Sequence, residues 1–88
     1  MRALLDTRPV TLDELVDVAG PHIPPARAHR HIERLAARRT VGERAPRPMT
    51  DATVAAGRRD IIRRTLDRMT KSGHVHRLAD GRYQTTPF

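Results

Sequence analysis

The sequence predicts a small, mainly α-helical domain closed by a C-terminal two-stranded β-hairpin. Three observations carry that expectation. Apolar residues recur at three- and four-residue spacing over most of the chain. Only Tyr83 and Phe88 are aromatic, so the core must be aliphatic, which suits packed helices better than a sandwich or barrel. Near the C-terminus, Gly73 and the pair Asp80-Gly81 replace helical spacing with two short strand-like pieces. A length of 88 residues makes one domain, 1–88, too small for a deep core around a buried active site.

The opening "MRALLDT" can form a short helix with Leu4 and Leu5 inward, ended by Arg8-Pro9. "TLDELVDVAG" is a clearer helix. Thr11 stands at an N-cap position with Glu14 three residues on, as in a capping box, and acidic side chains favour the positive helix end. Leu12, Leu15, Val16 and Ala19 form its apolar stripe, and Gly20 is the expected stop. "PHIPP" then makes a tight connection, because prolines and the residues before them do not continue a helix easily.

A third helix over 24–39 can start at Pro24 or Pro25, since proline is tolerated at a first helical position. Ala28, Ile32, Leu35 and Ala36 lie along one side, and Arg27, Arg30, Arg34 and Arg38 along another. "TVGERAPRPMT" breaks the pattern and reads as a mobile loop over 40–50. Thr50 or Asp51 caps the next segment. It is either one long helix weakened at Gly57, where glycine costs about 1 kcal/mol against alanine, or a turn followed by a helix over 58–72. Gly73 ends it, and a hairpin over 74–86 turns at Asp80-Gly81.

Charge narrows the function. The formal net charge is +7, unevenly spread. Residues 1–23 hold two arginines against four carboxylates, residues 24–50 seven arginines against two, and residues 51–88 eight basic groups against four. Such a field favours a polyanion, with nucleic acid ahead of a membrane surface.

The order of elements resembles a winged helix-turn-helix DNA-binding domain of the bacterial transcription-regulator type. The likeness is best from Arg58 to Thr86, where Ile62, Leu66, Met69, Gly73, Val75 and Arg77 are spaced as at the junction of a recognition helix and its wing. "ALLDTRPVTLDELVDVAG" resembles the first two helices of such domains. The resemblance implies a sequence-specific double-stranded DNA-binding protein, a transcriptional regulator, with Leu66, Met69 and Val75 in the core; a cytoplasmic location is the default expectation where neither a membrane-length apolar run nor a signal-peptide core is seen.

Under that reading helix 58–72 enters the major groove, whose width of about 12 Å admits a helix. Arg58, Arg59, Asp60 and Arg63 are the expected base readers, because an arginine fork can hold guanine O6 and N7 together. Asp60 can instead orient an arginine. Arg64, Arg68 and Lys71 serve phosphates, and Arg77 and Arg82 flank the wing turn over the backbone. Helix 24–39 competes for the same role, with Arg27 and Arg30 as secondary DNA candidates. It lacks a hairpin continuous with it, so 58–72 is preferred. A module this small buries limited surface, which leaves room for a homodimer on a two-fold site.

Other classes have less to stand on. No apolar run reaches membrane-span length, and "MRALLDTRP" meets proline and charge too soon for a signal-peptide core. Without cysteine, disulfides and thiolate metal sites are excluded. His74 and His76 share a strand face that His22 can approach, yet no further ligand pattern supports a metal. Ser72 is the only serine, the carboxylates are scattered and no phosphate-cradling glycine loop occurs, so neither an enzyme nor a cofactor is expected. Scarce aromatics argue against single-strand binding by base stacking. A winged-helix protein-interaction module remains the alternative, followed by an RNA-binding or architectural role.

Overall fold

The computed structural model describes residues 2–39 and 48–86. Four helices run in order, α1 (Arg2–Thr7), α2 (Leu12–Ala19), α3 (Pro25–Arg39) and α4 (Asp51–Lys71), followed by an antiparallel hairpin, β1 (Val75–Arg77) and β2 (Tyr83–Thr85). The chain is thus mainly helical with a C-terminal two-stranded hairpin. Most of the loop expected over 40–50 lies outside the described residues; Pro48 and Met49 are exposed and Thr50 caps α4. Among the described residues no helix is long and apolar enough to cross a membrane.

Local chemistry explains the helix ends. Thr11 Oγ1 accepts from the Glu14 backbone N–H at 3.1 Å, and Glu14 Oε1 accepts from the Thr11 N–H at 3.4 Å. Both halves of the capping box are therefore made, satisfying two donors that the first turn leaves open. Arg8 reaches Glu14 Oε2 at 2.6 Å, and that hydrogen bond holds the Glu14 carboxyl below its ordinary range. Gly20 caps the C-terminal end of α2 as expected, without a left-handed conformation. Its φ of −54 keeps it right-handed, and it carries the chain into one 3-10 turn, Gly20–His22, before α3.

Helix α4 runs unbroken through Gly57 and ends where glycine permits. Gly73 has φ +84; the His74 N–H bonds Met69 O at 3.1 Å and the Gly73 N–H bonds Thr70 O at 3.2 Å. These are the two bonds of a left-handed helix stop. An alanine Cβ at Gly73 would meet nothing within 4 Å, so Gly73→Ala should cost only backbone strain, about 1 kcal/mol. Thermal denaturation should show a loss of roughly 4–8 °C.

The core draws on every element. Leu5, Val10, Leu15, Ala28, Leu66 and Val75 are all but excluded from solvent, with Ile23, Val54 and Ile62 beside them. Met69, expected inside, is only partly covered. Val10, just before α2, exchanges hydrogen bonds with Tyr83 at 2.9 and 2.7 Å. That isolated antiparallel bridge ties the two-stranded hairpin to the N-terminal part of the chain.

Helices α3 and α4 lie side by side in the same direction. Ala28 meets Gly57, where a Cβ would stand 2.3 Å from the Ala28 carbonyl oxygen. His31 meets Asp60 one turn on. Further along, Arg34 and Arg38 face Arg64, Arg68 and Lys71. The glycine is a point of contact between helices and not a break.

Candidate nucleic-acid interface

The basic side chains fall into two groups, those held within the fold and those facing solvent without an acid. The expected base readers belong to the first. Arg58 is half-buried and donates Nε–H to the Ile23 carbonyl at 3.0 Å. Its guanidinium thereby closes the end of the turn between α2 and α3. Arg59, 51% exposed, pairs with Asp13 of α2.

Asp60 is the hub of a network. Only 19% of its side chain is exposed, and it accepts from His31 Nε2 at 2.5 Å, Arg63 Nη2 at 2.8 Å and Arg64 Nε at 2.7 Å. Burial alone would raise its carboxyl, but the bonds from His31, Arg63 and Arg64 hold it far below the ordinary carboxylate range. The same contact raises Arg63, which also reaches Asp67 at 3.4 Å. Of the two roles expected for Asp60, it occupies that of orienting arginines.

The second group is on α3 and the end of α4. The exposed side chains of α3 from Pro25 to Arg38 are Pro25, Ala26, Arg27, Arg30, Arg34, Ala37 and Arg38. No carboxylate is among them. Among the described residues no ion pair engages these four arginines, Arg68 or Lys71. The exposed side of α4 is mixed by comparison, since it includes Asp51 and Asp67. Helical geometry explains the row, because positions 27, 30, 34 and 38 fall on one stripe; Glu33, half-buried and 3.6 Å from His29, borders it beside Arg27, Arg30 and Arg34.

Between the helices runs an open trough of roughly 460 Å³. Arg34 and Arg38 form one wall, Arg64, Asp67, Arg68 and Lys71 the other, with His31 and Leu35 between them. Arg64, Arg68 and Lys71, grouped from the sequence as phosphate contacts, all line this trough, and Arg34 and Arg38, left out of the expected site, line it too. Their signal was the α3 stripe; their convergence with α4 required the packing direction of the two helices.

The hairpin carries the remaining candidates. Arg77 stacks its guanidinium over the Tyr83 ring, 5.9 Å from the centroid. Arg82 donates Nε–H to Asp80 Oδ2 at 2.6 Å, and its backbone N–H bonds Asp80 Oδ1 at 3.1 Å. These bonds lower the Asp80 carboxyl and fix the turn at Gly81, whose φ is +88. His74 turns Nδ1 to Ser72 Oγ at 2.7 Å. No protein-family model, curated protein or solved structure matches the chain.

Proposed function

We propose that this chain is a sequence-specific double-stranded DNA-binding domain of the winged helix-turn-helix kind that acts as a transcriptional regulator. The observation that carries the reading is the row of four exposed arginines on α3, which no ion pair engages among the described residues, continuous with the cations at the end of α4. Like charges gathered this way repel one another in the free protein, and a polyanion relieves the repulsion. The helix-turn-helix of α2 and α3, and the hairpin closing behind α4, are compatible with a winged arrangement. Two aromatic residues in the whole chain favour duplex over stacked single strands.

Helix α4 can contribute base readers from its middle turns, because the surface pairs of Arg59 and Arg63 are each worth only about 0–1 kcal/mol and can exchange a carboxylate for DNA. The free arginine row favours α3 as the groove helix. Among the described residues no ion pair holds Arg27 or Arg30 there, near the helix N-terminus, where recognition helices meet base edges.

Selection from a random duplex pool tests the reading. One sequence family should be retained at least about 1,000-fold above random duplex, with log affinity falling linearly in log salt. A repeated half-site would indicate a homodimer. Arg27→Ala and Arg30→Ala should each relax preference at a base position by about 1–3 kcal/mol, whereas Arg82→Ala should weaken all duplexes alike. If Arg59→Ala and Arg63→Ala relax preference instead, α4 is the groove helix. Absence of duplex binding even at low salt would end the proposal and favour a protein-interaction module.

A further inference from the structure

The geometry points to the trough between α3 and α4 as the seat of one phosphodiester strand of bound DNA, an assignment that rests on the DNA-binding reading above. Either helix alone offers a row of cations; together they form a channel with cations on both walls. Arg34 and Arg38 stand on the α3 side, and Arg64, Arg68 and Lys71 on the α4 side. The two carboxylates nearby are spoken for. Asp60 holds His31, Arg63 and Arg64, and Asp67 lies 3.4 Å from Arg63. Asp67 lines the trough as well, so its walls set Arg34, Arg38, Arg64, Arg68 and Lys71 against that one carboxylate, which leaves a surplus of positive charge.

Its dimensions fit a strand better than an isolated anion. From Arg64 to Lys71 the helix rises about 10 Å, and a DNA strand advances about 3.4 Å per phosphate along the duplex axis. Two or three consecutive phosphates can thus be flanked at once. Parallel packing matters here, because cations that ascend together on both helices keep facing each other along the trough. Guanidinium forks match phosphate oxygens bidentately. A strand seated there brings the outer stripe of α3, with Arg27 and Arg30, to the adjacent groove.

The salt dependence of duplex affinity tests the assignment. Arg34→Gln with Arg68→Gln should weaken the selected duplex and random duplex by the same factor. It should also reduce the magnitude of the log-affinity against log-salt slope by about 1.8, at 0.9 per phosphate contact. Both changes lie on exposed positions, and circular dichroism should show the helices intact. The lysine pair, Arg34→Lys with Arg68→Lys, should retain the slope. Arg8→Gln, which removes a cation paired to Glu14 on another side of the fold, should leave it unchanged.

A double glutamine variant that binds with the wild-type slope overturns the trough while leaving DNA binding intact. A variant that changes base preference rather than overall affinity overturns it as well. Sodium tripolyphosphate separates a strand from a free oligophosphate. If the glutamine pair abolishes tripolyphosphate binding but spares the duplex, the trough is an oligophosphate site and the strand assignment fails. Wild-type protein that binds no duplex at low salt removes the DNA-binding reading itself.

Discussion

Replacing Gly57 with alanine is expected to destabilise the protein by about 2–3 kcal/mol, although the same exchange in an exposed helix would stabilise it by about 1 kcal/mol. The sign turns on what the new methyl group meets. At Gly57 a Cβ would lie 2.3 Å from the Ala28 carbonyl oxygen and 2.7 Å from its carbon. Those are backbone atoms of α3, so no side-chain rotation relieves the contact. The two helices must separate, and separation loosens Val54 and Ile62, which pack in the core beside Ala28. For a domain of this size the loss corresponds to about 10–20 °C in midpoint temperature. Gly57→Val should leave little folded protein. Gly20→Ala provides the control, because its Cβ would find ordinary neighbours at 3.7 Å and its φ is already helical. That variant should gain about 0.4–1 kcal/mol. Equal effects at the two glycines in thermal or urea denaturation would show that α3 and α4 do not approach so closely.

Gly57 also marks where sequence reading stops. Taken along the chain, it is a weak point in a helix, and a break there is as reasonable as continuity. What decides is a residue 29 positions away, and glycine is retained because the neighbouring backbone leaves no room for Cβ. Features set by near neighbours were legible. Thr11 and Glu14 announced a capping box, Gly73 a left-handed stop, and Asp80-Gly81 a turn, because each needs only bonds within a few residues. Leu66 and Val75 were recognisable as core from helical and strand spacing. The Val10–Tyr83 bridge was not, since one residue bonding across most of the chain leaves no periodic trace. The site divides the same way. A surplus of arginine was plain, and so were the rows on 24–39 and 58–72. Which arginines stay committed within the fold was hidden, because Asp13 reaches Arg59, Ile23 reaches Arg58 and His31 reaches Asp60 only after the helices pack. The trough needs that packing twice over, once to bring the helices together and once to run them in the same direction.

Asp60 should give two readouts of opposite sign. Asp60→Asn keeps the side chain's shape but removes the negative charge that gathers His31, Arg63 and Arg64. Stability should fall by about 1–3 kcal/mol, the usual cost of losing charge-assisted bonds at a largely buried position. Duplex affinity should rise, because the protein becomes one unit more positive and Arg64, which lines the trough, is released from its carboxylate. The added affinity should be nonspecific, with random duplex gaining as much as the selected sequence and the salt slope steepening by about 0.9 if one new phosphate contact forms. Acid titration supplies the third check. The carboxyl is held low in the folded protein, so its contribution is complete above the unfolded aspartate value near 4. That contribution is lost as pH falls from there towards the depressed folded value. Wild-type stability should therefore decline on the acid side of about pH 4, and Asp60→Asn should decline less steeply across the same interval. The two proteins should converge in stability at the acid end, because protonation then does to the aspartate what the substitution does at neutral pH. If Asp60→Asn is as stable as wild type at neutral pH, Asp60 does not hold the helices together. If it binds duplex more weakly, the three-way network positions Arg64 for the strand, and that positioning outweighs the charge it withholds.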